Sequence, residues 1–153
     1  DDRRQRQMCI RDRENIYIES MSGYKCNISF TDLDTLQKIL AGKVVNQAIM
    51  SFELDNNLMI NDIIPHSQLH LARLDSDGNI IDLTDYVIEG SSFFGGRLEN
   101  NIYSFNITRY FHELLFNVTF TNQLYLLDKS ANSNANRSII KKDVELNIIY
   151  SEI

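Results

Sequence analysis

The stretch Tyr103–Phe116 (YSFNITRYFHELLF) changes its apolar period halfway along, and no other part of the chain restricts the fold so tightly. Tyr103, Phe105 and Ile107 alternate with Ser104 and Asn106, the period-2 pattern of a half-buried strand. From Thr108 onward the period lengthens, and Tyr110, Phe111, Leu114 and Leu115 recur at helical spacing. Thr108 is placed to cap the first N–H groups of that helix. A strand that runs straight into a short helix, apolar on one side throughout, predicts a plug at the end of a β core. Neither half carries an evident reactive group.

The flanking chain reads as short strands separated by turns. Asn15–Met21 and Tyr24–Phe30 predict a hairpin about Ser22-Gly23. Thr31 and Asp34 form a capping-box pattern ahead of a helix whose apolar face is Leu33, Leu36, Ile39 and Leu40, with Gly42 as its stop. Lys43–Leu54 is the clearest long strand of the first half, with Ala48, Met50, Phe52 and Leu54 facing one way. After a polar connection with Pro65, the only proline, Gln68–Leu74 and Asn79–Leu83 flank Asp75-Ser-Asp-Gly78 as a second hairpin. Asp85–Asn101 reads as loop-rich, with Gly90, Gly95 and Gly96 around Phe93-Phe94. Gln123–Leu127 and Val144–Tyr150 are strands on either side of an Asn/Ser-rich loop. Eight or nine short strands with two short helices, too little helix between strands for parallel crossovers, predict an all-β antiparallel β-sandwich, jelly-roll-like.

The chain of 153 residues is long enough for one core, and 43% apolar residues with 10% aromatics are sufficient to fill it. We divide it into an extended lead-in over residues 1–14 and one sandwich domain over 15–153. A net charge of −6 disfavours nucleic acid as a partner, and the five arginines up to Glu14 face four carboxylates, so the lead-in is a solvated segment and not a basic patch. No apolar run reaches the length of a membrane span and no signal peptide is visible, though a chain opening on Asp1 without Met reads as trimmed or excised. Cys9 and Cys26 are too few for a metal site or a disulfide scaffold, but they can pair with each other in an oxidising compartment.

The runs IYIESMSGYKCNISFTDLDTL, VVNQAIMSFEL, LARLDSDGNIIDLTDY, FFGG, YSFNITRYFHELL, LYLL, ANRSII and ELNIIY resemble, in matching order, the Bacteroidetes lipoproteins of unknown function. That group is in turn similar to jelly-roll modules in which an A-x-L-x-L strand precedes an F-D-V-T strand–helix turn. Ala48–Leu54 and Phe105–Thr108 take those places here, with Asn106 where that pattern has Asp. The resemblance implies an outer-membrane lipoprotein of the cell envelope, held only through a lipidated cysteine upstream of Asp1. It implies no catalytic residues and no cofactor. The expected partner is a glycan or another envelope protein.

Candidate chemistry is sparse. Asp75, Asp77 and Asp82 have too few ligands, and no closing Glu, for a calcium loop, and Asp-Gly is an ordinary hairpin tip. His66 and His70, four apart, lack the further ligands zinc needs and read as partly exposed histidines, as His112 reads as a solvated helix residue. Carboxylate pairs such as Asp32/Asp34 and Asp82/Asp85 suggest a glycosidase acid and base, but capping and a strand end account for them better. No nucleophile elbow, phosphate loop or H-E-x-x-H is present. The sequons at Asn27, Asn106, Asn117 and Asn136 follow from an Asn-rich composition.

One constellation remains. Tyr86, Phe93, Phe94 and Arg97 on a glycine-hinged loop form a candidate binding surface, against the simpler reading that one or both phenylalanines fold back over the core. The sequence therefore predicts a non-enzymatic structural or interaction module of a cell-envelope lipoprotein. A carbohydrate-binding module is the alternative, and a glycan-active hydrolase comes third.

Overall fold

A computed structural model describes residues 3–11, 16–19, 26–29, 33–59, 62–116, 123–129, 136–141 and 143–152, with the backbone alone for the first three segments. In chain order the elements are β1 (Arg3–Arg11), β2 (Ile16–Glu19), β3 (Cys26–Ser29), α1 (Leu33–Leu40), β4 (Lys43–Glu53), β5 (His70–Leu74), β6 (Ile80–Asp82), α2 (Thr84–Glu89), α3 (Ser91–Phe94), β7 (Gly95–Glu99), β8 (Ile102–Asn106), α4 (Thr108–Phe116), β9 (Gln123–Leu127), β10 (Arg137–Ile140) and β11 (Asp143–Glu152). The molecule is mostly β, and every strand pairing is antiparallel. A five-stranded sheet runs β1-β11-β4-β8-β7 and a four-stranded sheet runs β3-β9-β5-β6, with β10 and β2 as a separate pair.

The longest strands follow their apolar alternation. Ala48, Met50, Phe52 and Leu54 of the β4 run, Tyr103, Phe105 and Ile107 of the β8 run, and Val144, Leu146 and Ile148 of β11 are all buried. Their register puts Met50 opposite both Phe105 and Leu146, so one face of three adjacent strands is committed to the core. Leu69, Leu71, Leu124 and Leu126 supply the four-stranded sheet's share. At one end α1 and α4 close the core with Leu36, Leu40, Tyr110, Phe111, Leu114 and Leu115, as the change of period in Tyr103–Phe116 predicts. The Gln37 amide donates to the Leu115 carbonyl at 3.0 Å and holds the two helices together. Isolated bridges tie the end of β4 to β10, Leu54 to Ile140, and the approach to β5 to β7, Gln68 to Arg97.

Three expectations need correction. β2 and β3 do not form a hairpin with each other: β2 pairs with β10 and β3 with β9, so each solves its edge with a distant strand. Ser22-Gly23 and the Thr31 cap lie outside the described residues. Four helices are present where two were expected, because the stretch read as loop holds α2 and α3 and then β7. The strand count of eight or nine is likewise low, since β1, β7 and β10 went unread and eleven strands are described. The lead-in is extended, and Arg3–Arg11 runs antiparallel along β11.

Thr108 departs from its predicted role as well. Its hydroxyl accepts the Ala48 N–H at 3.0 Å and donates to Asn106 Oδ1 at 2.6 Å, prolonging the β4–β8 ladder by one rung. The cap of α4 comes instead from Asp85, whose two carboxylate oxygens accept the Arg109 and Tyr110 N–H groups at 2.8 and 2.9 Å. A buried carboxylate thus satisfies two of the four donors that a helix start leaves open.

Candidate functional site

Among the described residues the buried polar side chains are His66, His70, Asp85, Asn106 and Ser138. His66 is 2% exposed and His70 7%, which corrects their reading as partly exposed residues. The Ser138 hydroxyl of β10 lies 2.8 Å from His66 Nδ1 and accepts the His66 backbone N–H at 3.0 Å. Asp128 stands 3.4 Å from His66 Nε2, and Tyr103 donates its hydroxyl to the His66 carbonyl at 2.6 Å. Ser138, His66 and Asp128 are the residue types of a nucleophilic relay. Ser138, however, is fully buried and already bonded to His66 and Tyr103, so no acyl group can reach its hydroxyl. Burial lowers the His66 pKa against the opposing pull of Asp128, which favours a neutral ring. Burial also pushes the Tyr103 hydroxyl up to about 12, where it remains a donor.

A second cluster surrounds His70. Its Nε2 lies 2.7 Å from Asp82 Oδ1, while Lys129 reaches Asp82 Oδ2 at 3.4 Å and the Tyr86 hydroxyl at 3.3 Å. The Tyr86 ring meets His70 edge to face at 4.7 Å and carries the Lys129 ammonium 4.4 Å from its centroid. Burial lowers His70, with the Asp82 hydrogen bond opposing. Burial also raises Asp82, but His70 and Lys129 together outweigh it and hold that carboxyl low. The cluster ties β5, β6, α2 and the end of β9 together. Sequence reasoning missed both clusters because their members lie up to 72 positions apart, and the Arg137 N–H bond to the Ile64 carbonyl at 2.9 Å helps bring Ser138 beside His66.

The structure disperses the four residues Tyr86, Phe93, Phe94 and Arg97. Phe94 is 1% exposed and packs against Phe105, Tyr86 and His70, so it is a core residue. Tyr86 is partly buried against it. Phe93 is 57% exposed on the opposite side of α3. Arg97 is exposed on β7, where the register shifts between Gly95 and Leu98.

That bulge needs its glycines. Gly95 and Gly96 have φ of +95° and +97°, and a Cβ on Gly95 would run into the Ser104 carbonyl, and one on Gly96 into the Leu69 carbonyl and the Phe105 ring. Leu69 N–H donates to the Gly96 carbonyl, and Leu98 N–H to the Ser67 carbonyl, both at 2.9 Å, so the bulged strand is held by residues 67–69 as well as by β8.

Two grooves flank α3. The larger, about 660 Å³, is lined by Gln68, Ser91, Ser92, Gly95, Gly96, Arg97, Glu99, Asn100, Ile102 and Ser104, with Ile102 its single large apolar side chain. The smaller, about 220 Å³, lies between Phe93, Glu89, Arg109, Asp85, Asn46, Gln47, Asn106 and Thr108. Each volume suits a small polar ligand, and the first reaches the range of ordinary ligand sites. Arg97 serves the first and Phe93 the second, while Tyr86 and Phe94 line neither.

The remaining candidates have plainer places. Asp75 Oδ1 accepts the Asp77 and Asn79 N–H groups at 2.9 and 2.7 Å, the side-chain turn expected of a hairpin tip. Asp32 lies outside the described residues, while Asp82 and Asp85 serve the His70 cluster and the α4 cap. His112 is exposed on α4 and stacks near Phe116. Among the described residues no group of three or more His, Cys, Asp or Glu could hold a metal, and no helix is long and apolar enough to cross a membrane. Comparison of the chain with protein-family models, with curated proteins and with solved structures finds no match.

Proposed function

We propose that the chain is a non-enzymatic interaction module of a cell-envelope lipoprotein, an antiparallel β-sandwich of jelly-roll-like build that presents the larger groove to a partner. The observation that carries this reading is a division of polar groups. The ionisable and nucleophilic side chains that would be needed for turnover, Ser138, His66, His70 and Asp85, are buried and bonded to other side chains or to the backbone. The open polar surface instead offers hydroxyls, amides, one guanidinium and one carboxylate in a groove braced by a rigid double-glycine bulge. Such a surface is equipped to hold a ligand. The envelope location and the lipid anchor upstream of Asp1 are supported by the family resemblance alone. A glycan-active hydrolase would need two carboxyls converging on an open cleft, and Asp82 and Asp85 have other duties.

Co-sedimentation of the purified chain with isolated cell envelopes tests the proposal. The chain should be retained, and Ser92→Trp, which fills the groove from an exposed position, should release it without altering its circular dichroism. Equal retention of the variant would sink the assignment of this face.

A further inference from the structure

The smaller groove carries a more specific inference. Phe93 forms one wall and is 57% exposed, an unusual position for a ring on a short helix whose other aromatic residue is in the core. Around it stand side chains with unused hydrogen-bonding capacity. Arg109 sends both its Nε and Nη2 to a single oxygen of Glu89, Oε1, at 3.0 and 2.6 Å, so Glu89 Oε2 and Arg109 Nη1 are left to other partners. Asn106, only 8% exposed, uses Oδ1 twice, for the Thr108 N–H at 3.2 Å and the Thr108 hydroxyl at 2.6 Å. That anchors the amide plane, and its Nδ2 donates to no described group. Gln47, half-buried beside it on β4, has no hydrogen bond to a described side chain either.

We propose that this groove is a saccharide site that takes one neutral pyranose unit of an oligosaccharide, with Phe93 as the stacking platform. A pyranose has an apolar C–H face and a rim of hydroxyls. The ring of Phe93 covers such a face, while Asn106 Nδ2, the Gln47 amide, Glu89 Oε2 and Arg109 supply donors and acceptors around it. The volume of about 220 Å³ admits one sugar ring and little more. The larger groove lacks any aromatic wall, so it does not fit the same ligand as well. Charge selects within the class. Glu89 neutralises Arg109, and Asp85, whose oxygens are both occupied by the α4 cap, leaves the surroundings net negative. A uronate or a sulfated sugar would be repelled. The inference rests on the interaction-module reading but assigns a different face and a ligand class.

Isothermal titration calorimetry of the chain against cello-, laminari-, manno- and xylohexaose, with trigalacturonate as the acidic probe, tests it. At least one neutral hexaose should bind, trigalacturonate should not, and Phe93→Ser and Gln47→Ala should each weaken binding by about tenfold or more. Phe93→Ser should keep the parent melting temperature, which separates loss of the site from loss of the fold. Arg97→Ala, in the other groove, should bind as the parent does. No neutral hexaose binding at about 10 mM overturns the inference. So do trigalacturonate binding as tightly as the neutral sugars and a Phe93→Ser variant that still binds like the parent. If Ser92→Trp abolishes envelope retention while no saccharide binds, the sugar assignment alone fails and the interaction module stands.

Discussion

Tyr103–Phe116 and Thr84–Glu99 meet at the same end of the core, but they are specified in different ways. In the first, every buried apolar side chain follows from local period: strand alternation as far as Ile107, then helical spacing through Leu115. The second has no period of its own. Its shape is fixed by what it touches: the Asp85 carboxylate on the start of α4, the Thr84 hydroxyl on Glu113 at 3.0 Å, Tyr86 against His70, and Gly95 and Gly96 against carbonyls of other segments. A segment held by long-range contacts can be as rigid as one held by its own pattern. Only the kind held by its own pattern is visible in a sequence read alone.

If that is right, the two regions should weigh equally in stability. Phe105→Ala in the legible strand and Phe94→Ala in the illegible helix remove fully buried rings that touch each other at 5.4 Å, and each should cost about 3–5 kcal/mol in denaturant melts. A loss below about 1 kcal/mol for Phe94→Ala, with a full loss for Phe105→Ala, would break the equivalence and make α3 a loosely held flap.

Asp85→Ala examines the contact that joins the two regions. It leaves the Arg109 and Tyr110 N–H groups without their acceptor, one of them in a fully buried residue, and should cost about 1–3 kcal/mol. Thr108→Val, which removes the hydroxyl that the sequence makes the cap, tests the alternative. Were Thr108→Val the more damaging to helix content, the local cap would be the operative one.

The histidine clusters give a pH dependence. Burial lowers the folded-state pKa of both His66 and His70 below 6.5, the ordinary value. Between that value and the folded pKa the unfolded chain binds more protons, so stability falls as pH drops below 6.5 and is flat above it for these groups. Asp85 acts in the opposite sense at lower pH: burial raises its pKa, so the folded state gains there as the carboxyl takes up its proton. Urea midpoints that fail to decline between about pH 7 and pH 5 would show that neither histidine is kept neutral by the fold. His70→Asn should shallow the decline, since it removes one of the two titrating groups.

How much of this was legible depends on where each residue's partners lie. β4, β8, α4, β9 and β11 were readable because each buries a face set by its own spacing, and the β5–β6 hairpin because of the Asp-Gly turn between its strands. The partners of β2 and β3 were not, since a strand's sequence states which face it buries and not which neighbour it takes. Asn106 breaks its alternation for a similar reason: it is buried beside Phe105 because Thr108 ties its amide down, a contact two residues away that period-2 counting assigns to solvent. Of the candidate site, the aromatic residues and Arg97 were found by composition and glycine content, but their separation onto three sides of α3 was not. Gly95 and Gly96 signalled close backbone approach without saying to what.

The smallest expected effect is the one that sharpens the comparison most. Phe93 and Phe94 are neighbours in sequence with identical side chains, so any difference between their substitutions belongs to position alone. Phe93→Ser exchanges a largely solvated ring for a hydroxyl on an exposed turn of α3, removes no described ring contact, and should change stability by no more than about 0.5 kcal/mol. Phe94→Ser should lose the several kcal/mol of a buried ring and add a hydroxyl to the core. The double variant should match Phe94→Ser, because the two rings face away from each other and share no partner. A Phe93→Ser loss of several kcal/mol would mean that this ring also closes the core in solution. The aromatic wall of the smaller groove would then be a lid, and the saccharide assignment would lose its platform. Stability within about 0.5 kcal/mol of the parent leaves the ring with no part in holding the fold and free to serve a ligand.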